Sequence, residues 1–261
     1  MSSKSGAAAG LVYSSTSGTR PESAALPPAL RRFGARAFHV VERKKSRLRS
    51  MKHNVITAAR LHQEAMTRGG RRFRAAFITL TYAPGHAWNG RHISDTLQAC
   101  RKWHQRLGLR MRYVWVAEMQ DRGAVHYHLI LWLPYGYTPP KFDQRRWWPY
   151  GQSNAKWARN AVGYIAKYAS KGGEGAGFPK GIRIQGCGGL DLEGRRVARW
   201  WRAPTQCRIH LGEQADIRRI NGGRFDAVTG QFWDSPWRYL LINGVPTLLN
   251  TSEAQSCSAS L

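Results

Sequence analysis

The sequence predicts an α+β fold built on an antiparallel sheet, and three observations carry that prediction. Helix-like and strand-like stretches are mixed along the chain without the repeating βαβ order of a parallel sheet. The apolar period changes from helical to two after Gly69-Gly70. Two strand-like runs, MRYVWVAEM and AVHYHLILWL, are separated only by the turn residues Gln120-Asp121-Arg122-Gly123, which makes them a hairpin.

Taken in order, residues 1–35 are rich in Ser, Ala and Gly and bury too little apolar surface to offset their ordering entropy. They are expected to be a disordered tail, as are residues 251–261. Residues 36–75 are expected to be a basic helical DNA-binding arm: Val55, Ala59, Leu61 and Ala65 recur at roughly helical spacing, flanked by Arg43, Lys44, Lys45, Arg47, Arg49 and Lys52 and followed by Arg71, Arg72 and Arg74. So one-signed a face suits the tracking of phosphates; a merely solvated helix face is the alternative. AAFITLTYAP reads as a strand ending at Pro84, and Ser94 as the cap of a helix that runs through Leu97, Cys100, Trp103 and Leu107 and stops at Gly108. After the hairpin, Pro139, Pro140 and Pro149 mark Tyr135 to Tyr150 as loop. Ser153 or Asn154 then opens a helix, NAKWARNAVGYIAKYASK, closed by Gly172-Gly173. Beyond it GIRIQG, QFWDSP and LLINGVPTLL read as short strands, the last folded around Asn243-Gly244. Residues 191–250 form a basic extension whose Arg195, Arg196, Arg199, Arg202, Arg218 and Arg219 suit either origin recognition or a solvated appendage.

Composition narrows the function. The 261 residues suffice for one sizeable core, and 41 Lys+Arg against 15 Asp+Glu leave a net charge of +26 that repels itself unless a polyanion or salt neutralises it. Nucleic acid is the expected partner. The 11 Trp and 10 Tyr add faces on which unpaired bases stack, which favours single strands over duplex, although most such rings belong to cores. Four cysteines without a C-x-x-C pair argue against a zinc ribbon or a dense disulfide framework and fit a reducing cytoplasm. No signal peptide or run of 18 apolar residues is evident, so a soluble, cytoplasmic protein without membrane partners is expected.

Chance alone supplies about 0.3 His-x-His pairs in a chain of this length with 9 His, so His126-Tyr-His128 acquires weight only from context. In a strand the two imidazoles share one face, and Val125, Tyr127, Leu129, Leu131 and Leu133 line the other, which should pack on the core and leave the histidines facing away from it. Across the hairpin Glu118 lies opposite Val125 or His126, depending on register. Two imidazoles and a carboxylate make a three-ligand site with coordination positions left open for substrate. Ligands without thiolate suit Mg²⁺ or Mn²⁺ and do not exclude zinc. A cupin-like or other hydrolase site is a competing use of such a set.

A Tyr-x-x-x-Tyr pair is equally common by chance, at about 0.4 per chain. On a helix, however, Tyr164 and Tyr168 stand one turn apart and both hydroxyls can reach one site, with Trp157, Ala161 and Lys171 continuing their face and Ala158, Val162, Ile165 and Ala169 forming the apolar stripe beside it. Packing of both rings at the core or its rim is the plain alternative.

FITLTY (Phe77 to Tyr82), the acidic residue and histidine pair of E-x7-H-Y-H, and YIAKYASK (Tyr164 to Lys171) resemble, in order and spacing, the three motifs of HUH endonucleases. The likeness is to the two-tyrosine rolling-circle replication initiators of small single-stranded DNA bacteriophages, of filamentous-phage or microvirus type, and covers roughly residues 76–190. Conjugative relaxases place the tyrosine before the His-x-His strand, whereas here it follows. The resemblance implies the HUH endonuclease fold, a central antiparallel sheet of about five strands with flanking helices on one side and the metal site on exposed central strands. It implies that Glu118, His126 and His128 hold a divalent metal, that Tyr164 and Tyr168 are nucleophiles, and that Lys167 and Lys171 steady the phosphate or lower the phenol pKa. The implied activity is a nickase and strand transferase acting on single-stranded DNA at a replication origin. The chain has no G-x-x-x-x-G-K-[ST] motor motif, so a host helicase and a host DNA polymerase are the expected partners. A two-tyrosine HUH transposase and a non-catalytic DNA-binding protein are the alternatives.

Overall fold

From the N-terminal side the elements run β1 (Phe38–Val40), α1 (Arg43–Arg68), β2 (Phe73–Tyr82), α2 (His92–Arg106), β3 (Arg112–Met119), β4 (Val125–Pro134), β5 (Gly151–Ala158) and α3 (Ala161–Lys171). They continue as β6 (Gln185–Gly188), α4 (Leu192–Arg202), α5 (Thr205–Leu211), β7 (Ile217–Ile220), β8 (Gly223–Asp226), β9 (Phe232–Asp234), β10 (Trp237–Ile242) and β11 (Val245–Asn250). This computed structural model describes residue 30 and residues 37–120, 123–171 and 177–252. The expected tails, apart from Leu30, Thr251 and Ser252, lie outside those residues, as do Asp121-Arg122 of the hairpin turn and the Gly172-Gly173 helix stop.

The chain divides into two units. In one, residues 1–43 and 235–261, β1, β11 and β10 form an antiparallel sheet in that order around Ala37, Phe38, Ile242 and Leu249. Its hairpin turns at Asn243-Gly244, with φ of 49° and 76°, the left-handed pair that an Asn-Gly turn supplies at least steric cost.

The other unit, residues 44–234, is built on a five-stranded sheet of order β5-β2-β4-β3-β6, antiparallel throughout, as the α+β prediction requires. Its central strand β4 is buried along its length up to Leu133. Helices cover both faces, not one. On the face of Ile130 and Trp132, α1 lays His62 against the Trp132 ring (centroids 5.1 Å apart), and Gln63 accepts the indole N–H at 3.0 Å. The Tyr127 face is closed by the Tyr135–Tyr150 loop and α2. Trp148 stands edge-on to Tyr127, Trp88 donates to the Tyr127 hydroxyl at 2.8 Å, and Thr96 of α2 donates to the Trp147 carbonyl. An apolar run on both faces, ILWL, is what a strand covered on both sides needs.

Three further expectations change. The segment from Asn154 is not helical until Ala161: residues 151–158 pair along their full length with β2, so Trp157 and Ala158 belong to an edge strand and not to the tyrosine helix. Asn160 opens α3 instead, its side-chain oxygen accepting the Gly163 N–H at 2.8 Å. Ser94 does not cap α2, which begins at His92 without a side-chain cap. Asn89 starts that turn, accepting the Arg91 N–H on its side chain and the His92 N–H on its carbonyl. Finally, residues 191–250 are not strands alone. Asp191 caps α4 through the Gly194 N–H, and α4, α5 and the β7-β8-β9 sheet enclose a small core of Ala203, Cys207, Leu211, Ala215 and Ile217.

Candidate active site

The register of the β3–β4 hairpin decides which polar side chains meet. Its turn closes through Gln120 and Ala124, and Gly123 supplies the positive φ (79°) that an L side chain would resist. Glu118 then falls opposite His126, so Glu118, His126 and His128 share one face of two neighbouring strands. Glu118 Oε2 lies 2.6 Å from His128 Nε2, and the two imidazole centroids are 6.4 Å apart. On the other side of β4, Thr79 pairs with His128 and its hydroxyl lies 3.2 Å from Nδ1. With the carboxylate accepting from Nε2–H, Nδ1 is left to accept the Thr79 hydroxyl. The His128 ring is therefore held at both nitrogens by side chains from three adjacent strands.

The hydrogen bond from His128 holds the Glu118 carboxyl below its ordinary range; burial opposes this, and the charges of His128, Lys171 and His126 add to it. The histidines do not face away from the core. His126 is 7% and His128 3% exposed, because α3 lies over them. Ala161, Ile165 and Ala169 seat that helix, and Tyr168 stacks on the His128 ring at 3.7 Å between centroids and 24° between planes. Ala161 thus lies on the buried side of α3, among the seating residues. Tyr164, one turn earlier, is 46% exposed, and both tyrosines contact Phe77, with centroids 5.5 and 5.3 Å away. Burial raises the Tyr168 phenol above its ordinary pKa, and the charges of Glu118 and Tyr164 push the same way.

Other residues read from the sequence are placed less closely. Lys167 and Lys171 are both exposed, and the charge of Lys171 reaches Glu118. In the arm, Arg43 donates to the Tyr239 hydroxyl at 2.8 Å and Arg47 to the Ile182 carbonyl, while Lys44, Lys45 and Arg49 are exposed. Arg71, Arg72 and Arg74 are exposed beyond α1, the last two lying over Tyr135. Two side chains of the site have no role in the sequence reading. Thr79 is invisible as a partner of His128 until the β2–β4 register is known. Lys156, exposed beside Phe77 on the tyrosine face, was hidden by the reading of β5 as helix.

A carboxylate and two imidazoles on one sheet face are a chemically suitable donor set for a divalent cation. Among the described residues no group of three His, Cys, Asp or Glu side chains is drawn together as a ready-made metal site. The direct Glu118–His128 hydrogen bond is the contact that an ion would replace, taking the place of the Nε2 proton. Because Thr79 orients His128 from outside this donor set, Thr79→Val should lower any cleavage rate by roughly 10- to 100-fold while leaving the fold intact. Comparing single-turnover rates with thermal unfolding of the same preparation checks this; parental cleavage in a folded Thr79→Val protein would deny the threonine that role.

Residues 75–173 match the replication-associated protein ORF2 family, over well under half of the chain. The matched stretch holds Glu118, His126, His128, Tyr164 and Tyr168, and the similarity supports a replication initiator. No curated protein and no solved structure matches the chain. No described helix is long and apolar enough to cross a membrane.

Proposed function

We propose that this protein starts rolling-circle replication by nicking single-stranded origin DNA with a tyrosine and later rejoining the ends, as a two-tyrosine HUH endonuclease. The observation that carries the reading is the stacking of Tyr168 on His128, itself hydrogen-bonded to Glu118, with Tyr164 one helical turn away over the same Phe77. The similarity of residues 75–173 to a replication-associated family supports the same reading.

In the proposed reaction a tyrosine hydroxyl loses its proton and its oxygen bonds to the scissile phosphorus. The bond from phosphorus to the 3′ oxygen breaks, and that oxygen takes up a proton. The products are a 5′-phosphotyrosine and a free 3′-OH. The 3′-OH can prime a host DNA polymerase after a host helicase has opened the duplex. One phosphodiester is exchanged for another, so the step reverses without an external energy source. A second tyrosine on the same helix face can cleave the regenerated origin while the released 3′-OH attacks the first phosphotyrosine and seals the displaced strand. Glu118, His126 and His128 would hold a divalent cation, Mg²⁺ or Mn²⁺, whose charge would polarise the scissile phosphate and offset the negative charge developing on the leaving oxygen. Lys167 and Lys171, exposed along the tyrosine helix, and Lys156 across from it are the cations that would steady the phosphate.

Incubation with labelled single-stranded origin oligonucleotides and Mn²⁺ should give a denaturant-stable adduct at the 5′ side of the nick, lost on chelation and restored by the metal. His126→Ala should keep DNA binding but slow cleavage by about 100-fold or more, since it removes a ligand and not a phosphate contact. Cleavage that is indifferent to both chelation and His126→Ala would overturn the assignment of this site.

A further inference from the structure

Away from the histidines, where β2 begins and β4 ends, two arginines and two aromatic rings meet at the surface. The guanidinium carbons of Arg72 and Arg74 lie 4.5 and 4.6 Å from the centre of the Tyr135 ring, and Arg74 also lies 5.2 Å from that of Trp157. Tyr135 is 49% and Trp157 40% exposed, and neither arginine has a carboxylate partner among the described residues.

The cluster stands on strands and their ends, not on a long loop. Phe73 pairs with Pro134, the Tyr135 N–H donates to the Arg72 carbonyl at 2.8 Å, and Trp157 pairs with Ala76 on the edge strand β5. Register also fixes its face. Arg74 pairs with Leu133 and Ala76 with Leu131, an odd number of residues from His128, so Arg74 and Trp157 lie on the side of the sheet opposite the histidines. Along β4, Tyr135 is seven residues beyond His128, about 23 Å at strand rise. The cluster is thus separate from the tyrosines and from the site proposed for cleavage.

We propose that Arg72, Arg74, Tyr135 and Trp157 form a second, non-catalytic site that binds unpaired DNA by stacking its bases. Two exposed rings leave apolar faces in water, and two guanidinium groups without acidic partners leave charge uncompensated. A single strand answers both, because each base offers a π-face and each linkage a negative charge. Duplex DNA offers the charge but hides the base faces, and an acidic peptide lacks the flat faces altogether. The net charge of +26 already calls for a polyanion, and the ring pair chooses among polyanions. The proposal extends the replication reading by giving the protein a hold on single strand outside the nicking centre.

Anisotropy titration of the full chain with a labelled oligo-dT of about 15 nucleotides, within the range of known single-strand sites, tests it. Tyr135→Ala with Trp157→Ala should weaken dT binding by about 10-fold or more without changing affinity for a duplex of equal length. Tyr135→Phe with Trp157→Phe should restore near-parental binding, since the faces remain. Arg72→Gln with Arg74→Gln should make the dependence of log K on log salt shallower by about 0.7 for each phosphate that is no longer neutralised. Parental dT affinity in the aromatic double variant, or an equal loss on dT and duplex, would overturn the platform. Adduct formation by the unaltered chain is scored separately. An adduct with no aromatic dependence of dT binding sinks the platform alone, and aromatic-dependent binding with no adduct sinks the nicking reading alone.

Discussion

Replacing Tyr164 and Tyr168 together by phenylalanine should leave the protein folded and abolish its covalent attachment to origin DNA. Each change removes one oxygen and keeps the ring, so the stacking of Tyr168 on His128 and the contacts of both rings with Phe77 survive. Among the described residues neither hydroxyl makes a hydrogen bond within the protein, so no internal partner is stranded by its loss. Stability should shift by no more than about 0.5 kcal/mol. The chemical loss, by contrast, is complete, because no phosphotyrosine forms without a phenol oxygen. A phenol near its ordinary pKa of about 10 is ionised in only about one molecule in a thousand at neutral pH. Tyr168 is worse placed, with burial and the Glu118 charge both opposing its ionisation. Whatever neutralises Glu118, the nearby charge of Lys171 or a bound cation, therefore favours the nucleophile as well as the electrophile. Each single variant keeps one phenol and should still form an adduct, but should fail to pass the strand from one tyrosine to the other. Denaturing gels with a 3′-labelled oligonucleotide read both results; an adduct surviving in the double variant would move the nucleophile to another residue.

Much of this was legible in the sequence because several kinds of signal agreed. The hairpin of β3 and β4, the helical spacing of Tyr164 and Tyr168, and the Asn-Gly turn at 243-244 are local patterns, set by residues a few positions apart. What could not be read depends on distant pairing. NAKWA resembles the start of a helix by propensity, yet β2 offers it a complete antiparallel ladder, and that pairing outweighs a weak local preference. The same ladder brings Lys156 beside Phe77 and turns Trp157 to the opposite face. The burial of His126 and His128 was missed for a related reason. Alternation identifies the two faces of β4, but only tertiary packing of α3 decides that the polar one is covered too. Thr79 sits in a strand that reads as core, and its contact with His128 spans 49 residues of sequence.

Acid should unfold this protein partly through a histidine outside the proposed chemistry. His62, on the buried side of α1, lies against Trp132 with its ring excluded from water. Burial pushes its pKa from 6.5 down to about 3, and the Arg112 guanidinium adds to the effect; the Tyr113 backbone and Asp191 act against it. Because the folded-state pKa lies below that of the unfolded chain, the unfolded state binds the extra proton throughout the interval between about 3 and 6.5. The neutral ring therefore costs nothing above pH 6.5, and stability falls as the pH drops through that interval. Lowering the pH to about 4.5 should remove on the order of 3 kcal/mol, a large share of the 5–15 kcal/mol typical of a folded domain. His104, also buried and lowered, acts in the same direction, so the parent slope contains more than one histidine. His62→Leu isolates the first by filling the site with an apolar side chain that cannot take a proton. Denaturant unfolding of parent and variant between pH 7.5 and about 4.5 should give converging, and then crossing, stabilities, with the variant less sensitive to acid. Parallel pH profiles would mean that His62 is charged, or open to water, in the folded protein.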